Sequence, residues 1–187
     1  MSINFEELTN LPIHKNLLEE FKEISNFYKF DLSRNQICIN DIEKNSDNVY
    51  RGIGSLIKDW NNAEYDKDKL KIPKKEIKLE EKQFNYICNQ FKNTTFEDIY
   101  IKLKEKYNIG RFRFMIMKPK SCLSWHYDDT ERIHYPLKTQ NGCFMIIDKE
   151  LIHLEQNKWY LTKTKKHHTA LNSSLGDRIH LVASRVI

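Results

Sequence analysis

From Gly110 onward the chain is cut into short β-rich segments, and no other feature restricts its fold as strongly. The segments are Arg111–Met117, Cys122–Asp128, Arg132–Leu137, Cys143–Asp148, Leu151–Leu154, Trp159–Thr164, His168–Asn172 and Arg178–Val186. Turn-forming stretches separate several of them: Lys118-Pro119-Lys120, Gln140-Asn141-Gly142, Gln156-Asn157 and the run from Ser173 to Asp177. Strands this short, interrupted this regularly, predict a double-sheet jelly roll of the cupin type, a double-stranded β-helix.

The upstream half reads differently. Leu17, Leu18, Phe21, Ile24 and Phe27 fall at helical spacing and predict an amphipathic helix over 14–29. Two more helices are expected over 79–92 and 95–107, the second with Thr94 or Thr95 as N-cap and Glu97 and Asp98 in its first turn. Residues 30–75 are polar and irregular, with apolar islands at 37–39 and 49–57. The two glycines in Tyr50-Arg51-Gly52-Ile53-Gly54 do not make a phosphate-binding motif. A long loop beside a rigid barrel is an expected source of substrate contacts. The expected class is therefore mainly β with N-terminal helices, the helices covering one face of the jelly roll. With 187 residues, no internal repeat and no evident linker, one domain is expected over 1–187. Residues 1–109 would form a mainly helical layer and 110–187 the β-helix.

Composition narrows the setting. Hydrophobic residues at 40% and charged residues at 30% describe a globular chain, not a disordered one. The net charge of +5 comes largely from scattered lysines and fits a solvated face; a basic rim for an anionic cosubstrate is the second reading. Cys38, Cys88, Cys122 and Cys143 form no CxxC pair and read as small buried hydrophobes in a reducing compartment. The N-terminal residues carry neither a basic n-region nor a long apolar run, so a cytoplasmic protein without a membrane span is expected.

The chemistry-bearing motif lies in Ser124-Trp125-His126-Tyr127-Asp128. His-x-Asp, with His168 forty positions after Asp128, has the spacing of a facial triad of two histidines and a carboxylate. Such a triad holds non-heme Fe(II) and leaves coordination positions open for a cosubstrate and O2. Positions i and i+2 of a strand point the same way, so His126 and Asp128 are expected to reach one metal from one strand. His167 competes with His168 for the third position. His168 is favoured because its strand face also carries Ala170 and Asn172, small and polar as a metal-lined cavity requires.

The run from Gly110 to the C-terminus resembles the aspartyl/asparaginyl β-hydroxylase and proline hydroxylase branch of the 2-oxoglutarate/Fe(II) oxygenases. The resemblance rests on Arg113-Phe114-Met115, Pro119, Trp125 to Asp128, Arg132 to Leu137, His168 to Asn172 and Asp177 to Val182. It implies a double-stranded β-helix with iron on His126, Asp128 and His168. It implies that Arg178, ten residues after His168, pairs with the distal carboxylate of 2-oxoglutarate, for which a guanidinium offers a permanently charged bidentate fork. It also implies that Arg132 and His134, an R-x-H element on one strand face, grip the cosubstrate. The gap from His126 to His134 is shorter than that branch usually shows, which leaves the role of Arg132 open. The implied reaction consumes 2-oxoglutarate and O2, releases succinate and CO2, and places a hydroxyl on an unactivated carbon. The implied substrate is a free amino acid such as proline, or an Asp, Asn or Pro residue in a peptide or protein.

Two other readings share parts of this pattern. Nucleic-acid demethylases of the same superfamily use two arginines six positions apart on the last strand. Arg178 and Arg185 are seven apart and would face opposite ways in a regular strand, which argues against a nucleic-acid substrate. A cupin-like metal or ligand binder without enzymatic activity would not need Arg178 or the Arg132/His134 pair.

Overall fold

The computed structural model describes residues 2–52, 64, 65, 67, 71, 72 and 79–186. Its elements in chain order are β1 Phe5–Glu7, α1 Leu17–Phe27, β2 Gln36–Cys38, β3 Asn40–Asp41, β4 Glu64–Tyr65, β5 Lys71–Ile72, β6 Tyr86–Ile87 and α2 Thr95–Tyr107. There follow β7 Ile109–Met117, β8 Ser121–Cys122, β9 Glu131–Lys138, β10 Cys143–Ile147, β11 Glu150–Ile152, β12 Tyr160–Thr162, β13 His168–Asn172 and β14 Arg178–Arg185. A large antiparallel sheet runs β1-β12-β9-β14-β7-β2 and a smaller one β11-β10-β13-β8. The fold is the expected mainly β jelly roll.

Period-two alternation on the three central strands sorts side chains to opposite faces of the large sheet. Phe112, Phe114 and Ile116 of β7, Ile133, Tyr135 and Leu137 of β9, and Ile179, Leu181 and Ala183 of β14 join one apolar cluster. The helices close over that face. Phe21 of α1 stacks on Phe114 at 4.0 Å between ring centroids, and Phe96 of α2 meets the same ring edge-on at 5.0 Å. Arg111, Arg113, Arg132, His134, Arg178 and His180 occupy the alternate positions and line a cavity toward the small sheet. The main hydrophobic core thus lies between sheet and helices, outside the barrel. A smaller cluster, Phe5, Met145, Ile147, Leu154 and Tyr160, closes part of the barrel interior.

The N-terminal half contributes strands as well as helices: β1 and β2 are the two edges of the large sheet. Helix α2 spans the expected residues with Thr94 as N-cap. The hydroxyl of Thr94 donates to Phe91 O, and Thr95 N is met instead by Glu20 Oε1 at 2.9 Å. Helix α1 is shorter than the expected 14–29 and leaves Phe27 in solvent.

The helix expected over 79–92 is absent. Short 3-10 turns at Glu81–Gln83 and Asn89–Phe91 flank strand β6, which pairs with β3. The helical spacing of Phe84, Ile87, Cys88 and Phe91 is real, and all four are buried, but they are held one by one through tertiary contacts. Asn40 is the main clamp: its Nδ2 donates to Phe84 O and Gly110 O, and its Oδ1 accepts from Phe112 N. At Gly110 a Cβ would sit 2.1 Å from Glu81 O, so only glycine lets the 79–92 segment lie this close to β7. Of the irregular stretch at 30–75, Ile53 to Ile57, Gly54 included, lie outside the described residues.

Candidate active site

His126, Asp128 and His168 converge. Their candidate ligand atoms all lie within 4.8 Å of one another. The route differs from a shared strand face. Strand β8 ends at Cys122, and the chain arcs outward before His126 returns to form an isolated backbone bridge with His168. His126 N donates to His168 O at 3.1 Å, and His168 N donates to His126 O at 2.7 Å. Asp128 is then set by its own N–H, which donates to Thr164 O at 2.9 Å. A bulged loop stitched to β13 therefore does what a straight strand was expected to do.

Both histidines are oriented the same way. His126 Nδ1 lies 2.7 Å from Ser124 O and His168 Nδ1 lies 2.9 Å from Lys166 O. A carbonyl only accepts, so each Nδ1 carries the proton and each Nε2 keeps its lone pair for a metal. His168 is buried, and burial lowers its pKa despite opposing pulls from the Lys166 carbonyl and Asp128, which favours the neutral ligand form. Two imidazoles and one carboxylate form the donor set of non-heme Fe(II). His167 points elsewhere: it is exposed and lies against the exposed rings of Trp125 and Tyr127. Ala170 lines the cavity as expected, but Asn172 does not. Its amide is spent on Met117 O, Lys118 O and Gly176 O, tying the turn before β14.

Arg132, His134 and Arg178 are all at least nine-tenths buried and all line the cavity, whose volume is about 870 Å³. That volume lies at the upper end for small-molecule sites and leaves room for two ligands. The Arg178 guanidinium has no hydrogen bond or ion pair among the described residues; Asp177 instead pairs with Lys118 at 3.3 Å. Burial pulls the Arg178 pKa down to about 10. Arg132 is engaged differently: Nε lies 3.1 Å from Asp128 Oδ2 and Nη2 lies 3.0 Å from Glu81 Oε1. Glu131 pairs with Arg185, which does not line the cavity.

Glu81, Arg111, Arg113 and His180 also line the cavity and fall outside the sequence-derived set. Glu81 is a hub, taking Nε and Nη2 of Arg111 at 3.0 Å each while also holding Arg132. His180 and His134 have their Nδ1 atoms 3.5 Å apart, and neither Nε2 has a partner. Burial first, and then the Arg178 charge, hold both far below the usual histidine value, so both are neutral at physiological pH. One Nδ1 must donate and the other accept, which leaves one free Nε2 as a donor and the other as an acceptor. Period-two alternation from Arg132 through His134, applied equally to β7 and β14, would have located Arg111, Arg113 and His180. Nothing local to Glu81 marks it.

The profile of the Aspartyl/Asparaginyl beta-hydroxylase family matches residues 15–185. The chain belongs to that family. No curated protein matches this family member. Among solved structures it is similar to a 2OG-Fe(II) oxygenase family oxidoreductase from Burkholderia pseudomallei, at 14% identity and TM-score 0.42, over 47% of this chain and 54% of that one. It is also similar to the viral collagen prolyl hydroxylase of Paramecium Bursaria Chlorella virus-1, at 17% identity and TM-score 0.37, over 53% and 72% of the two chains. A cupin domain from Bordetella pertussis matches at 14% identity and TM-score 0.36, over 41% and 81%. This β-hydroxylase family member thus spans about half the length of the Burkholderia protein. No helix among its described residues is long and apolar enough to cross a membrane.

Proposed function

We propose that this family member is an Fe(II)- and 2-oxoglutarate-dependent dioxygenase that hydroxylates a carbon of an amino acid, free or within a peptide or protein. The observation that carries the reading is one cavity lined by two unlike binding groups: a His126/Asp128/His168 donor set and the guanidinium of Arg178. The donor set fits iron and the guanidinium fits a carboxylate, as a chelating keto acid requires.

When bound, iron supplies the activation of O2 that couples decarboxylation of 2-oxoglutarate to succinate and CO2 with insertion of one oxygen atom into a C–H bond. The residues supply placement. His126 and His168 present Nε2, each fixed through its protonated Nδ1. Arg132 Nε lies 3.1 Å from Asp128 Oδ2, the oxygen that also faces His168 Nε2 at 3.7 Å, and so orients that carboxylate. Arg178 receives the distal carboxylate of 2-oxoglutarate. His134 sits on the inward face of β9, where it meets the 1-carboxylate, while Arg132 on the same face is held by Asp128 and Glu81 and acts through Asp128. The enclosing sheets exclude water from the reacting atoms.

The test is consumption of 2-oxoglutarate by purified protein. Consumption and succinate release that require Fe(II), with a substrate gaining one oxygen atom by mass spectrometry, are expected. Metal binding with no Fe(II)-dependent consumption would instead identify a non-enzymatic cupin-like binder.

A further inference from the structure

Besides Arg178, the cavity holds one more buried guanidinium with no acidic partner among the described residues. Arg113 on the inward face of β7 is only 6% exposed, lines the cavity, and has no hydrogen-bond partner for Nε or Nη1. The other arginines here are accounted for. Arg111 is saturated by Glu81 and Gly52 O, Arg132 by Glu81 and Asp128, and Arg178 faces the distal end of 2-oxoglutarate. A buried charge without a counter-charge is retained against a desolvation penalty, and a ligand anion is what removes that penalty. Glu81 is committed elsewhere and no ion pair reaches Arg113 among the described residues.

The sheet register separates this charge from Arg178. Arg113 pairs with Val182 on β14, and Val182 pairs with His134 on β9, so the three form one row across the sheet. The middle member is short and apolar, leaving space between a guanidinium and a neutral imidazole. Arg178 lies four residues away on β14, roughly 13 Å along the strand, and one strand over from Arg113. The two guanidiniums are therefore rooted at different parts of the cavity.

We propose that Arg113 anchors a carboxylate carried by the substrate itself. The proposal rests on the oxygenase reading above and narrows it. Free amino acids, C-terminal residues and Asp side chains carry the required group; internal Pro and Asn residues do not. A site built around a charged donor discriminates strongly against an analogue that leaves it unpaired.

The experiment uses protein loaded with redox-silent Zn(II) and saturated with 2-oxoglutarate. It is titrated calorimetrically with the free L-amino acids, with their carboxamides, and with N-acetyl-aspartate amide against N-acetyl-asparagine amide. At least one carboxylate probe is expected to bind tenfold more tightly than its amide. Arg113→Gln should erase that preference, Arg113→Lys should keep part of it, and 2-oxoglutarate affinity should stay within threefold in both. The α-carboxylate and side-chain sources are separated by which probe pair shows the preference. No preference in the wild-type protein, a preference that survives in Arg113→Gln, or a collapse of 2-oxoglutarate affinity in that variant would each overturn the proposal. A separate titration of 2-oxoglutarate into the Zn(II) protein, together with the probe titrations repeated in its absence, separates the two readings: failure of the cosubstrate to bind counts against the oxygenase, while the acid–amide comparison still judges Arg113.

Discussion

Replacing Arg178 with Met should make the empty protein more stable and the loaded protein weaker. Burial takes the Arg178 pKa from 12.5 to about 10 in the folded chain. A depressed pKa on a base means that folding disfavours its charged form. The penalty is therefore present at every pH below about 10 and is relieved only as pH climbs from there toward the unfolded value. At 1.36 kcal/mol per unit this is about 3 kcal/mol at neutral pH. For a chain of this length that corresponds to a rise of ~6–12 °C in Tm for Arg178→Met without ligand. The same substitution removes a buried charge-assisted pair with the distal carboxylate, which costs roughly 30-fold or more in 2-oxoglutarate affinity. Thermal unfolding by circular dichroism, with and without saturating 2-oxoglutarate, reads both effects. The wild-type protein should gain Tm from the ligand and the variant should not. A variant that loses Tm when empty, or that binds the cosubstrate as the wild type does, refutes the assignment of Arg178 as a charge held ready for a ligand.

Three further outcomes follow from the same geometry. His126→Ala and His168→Ala should each abolish tight metal binding with the fold intact by circular dichroism, whereas His167→Ala should bind metal normally; the reverse pattern would transfer the third ligand to His167. Glu81→Ala strips Arg111 of its counter-ion and Arg132 of one of its two acidic partners, so urea unfolding should show a loss of about 3 kcal/mol or more, and a loss near zero would show that Arg111 and Arg132 are satisfied without it. His134 and His180 refuse a proton when folded but accept one near pH 6.5 when unfolded, so stability should fall as pH drops. Urea midpoints should therefore fall as pH drops through the unfolded histidine value, and a His134→Gln/His180→Gln double variant should flatten that dependence.

The strands and the second helix were legible because their signals are local: alternation, turn residues and a cap. His168 is buried and His167 exposed, in step with the alternation of β13. The 79–92 segment was misread because its apolar spacing fits a helix equally well, and what decides its shape is Asn40, more than forty residues upstream. The path of His126 and Asp128 was misread for a related reason. A bulge stitched by backbone bonds to His168 and Thr164 leaves no trace in the spacing of the triad. Glu81 escaped notice because its role exists only once 3-10 geometry brings it against β7, where Gly110 clears the way.

The large sheet is a partition one residue thick. On β7, β9 and β14 each odd or even step belongs either to the apolar cluster under the helices or to the cavity. Substitutions at cavity positions can therefore retune what the pocket accepts while the cluster that supports the fold stays whole. Insertion or deletion of a single residue within these strands has the opposite character, because it exchanges the two sets. Arginines would enter the apolar layer and phenylalanines the pocket. Such a chain can drift in specificity by point changes along its central strands, but it tolerates changes of length only at their ends.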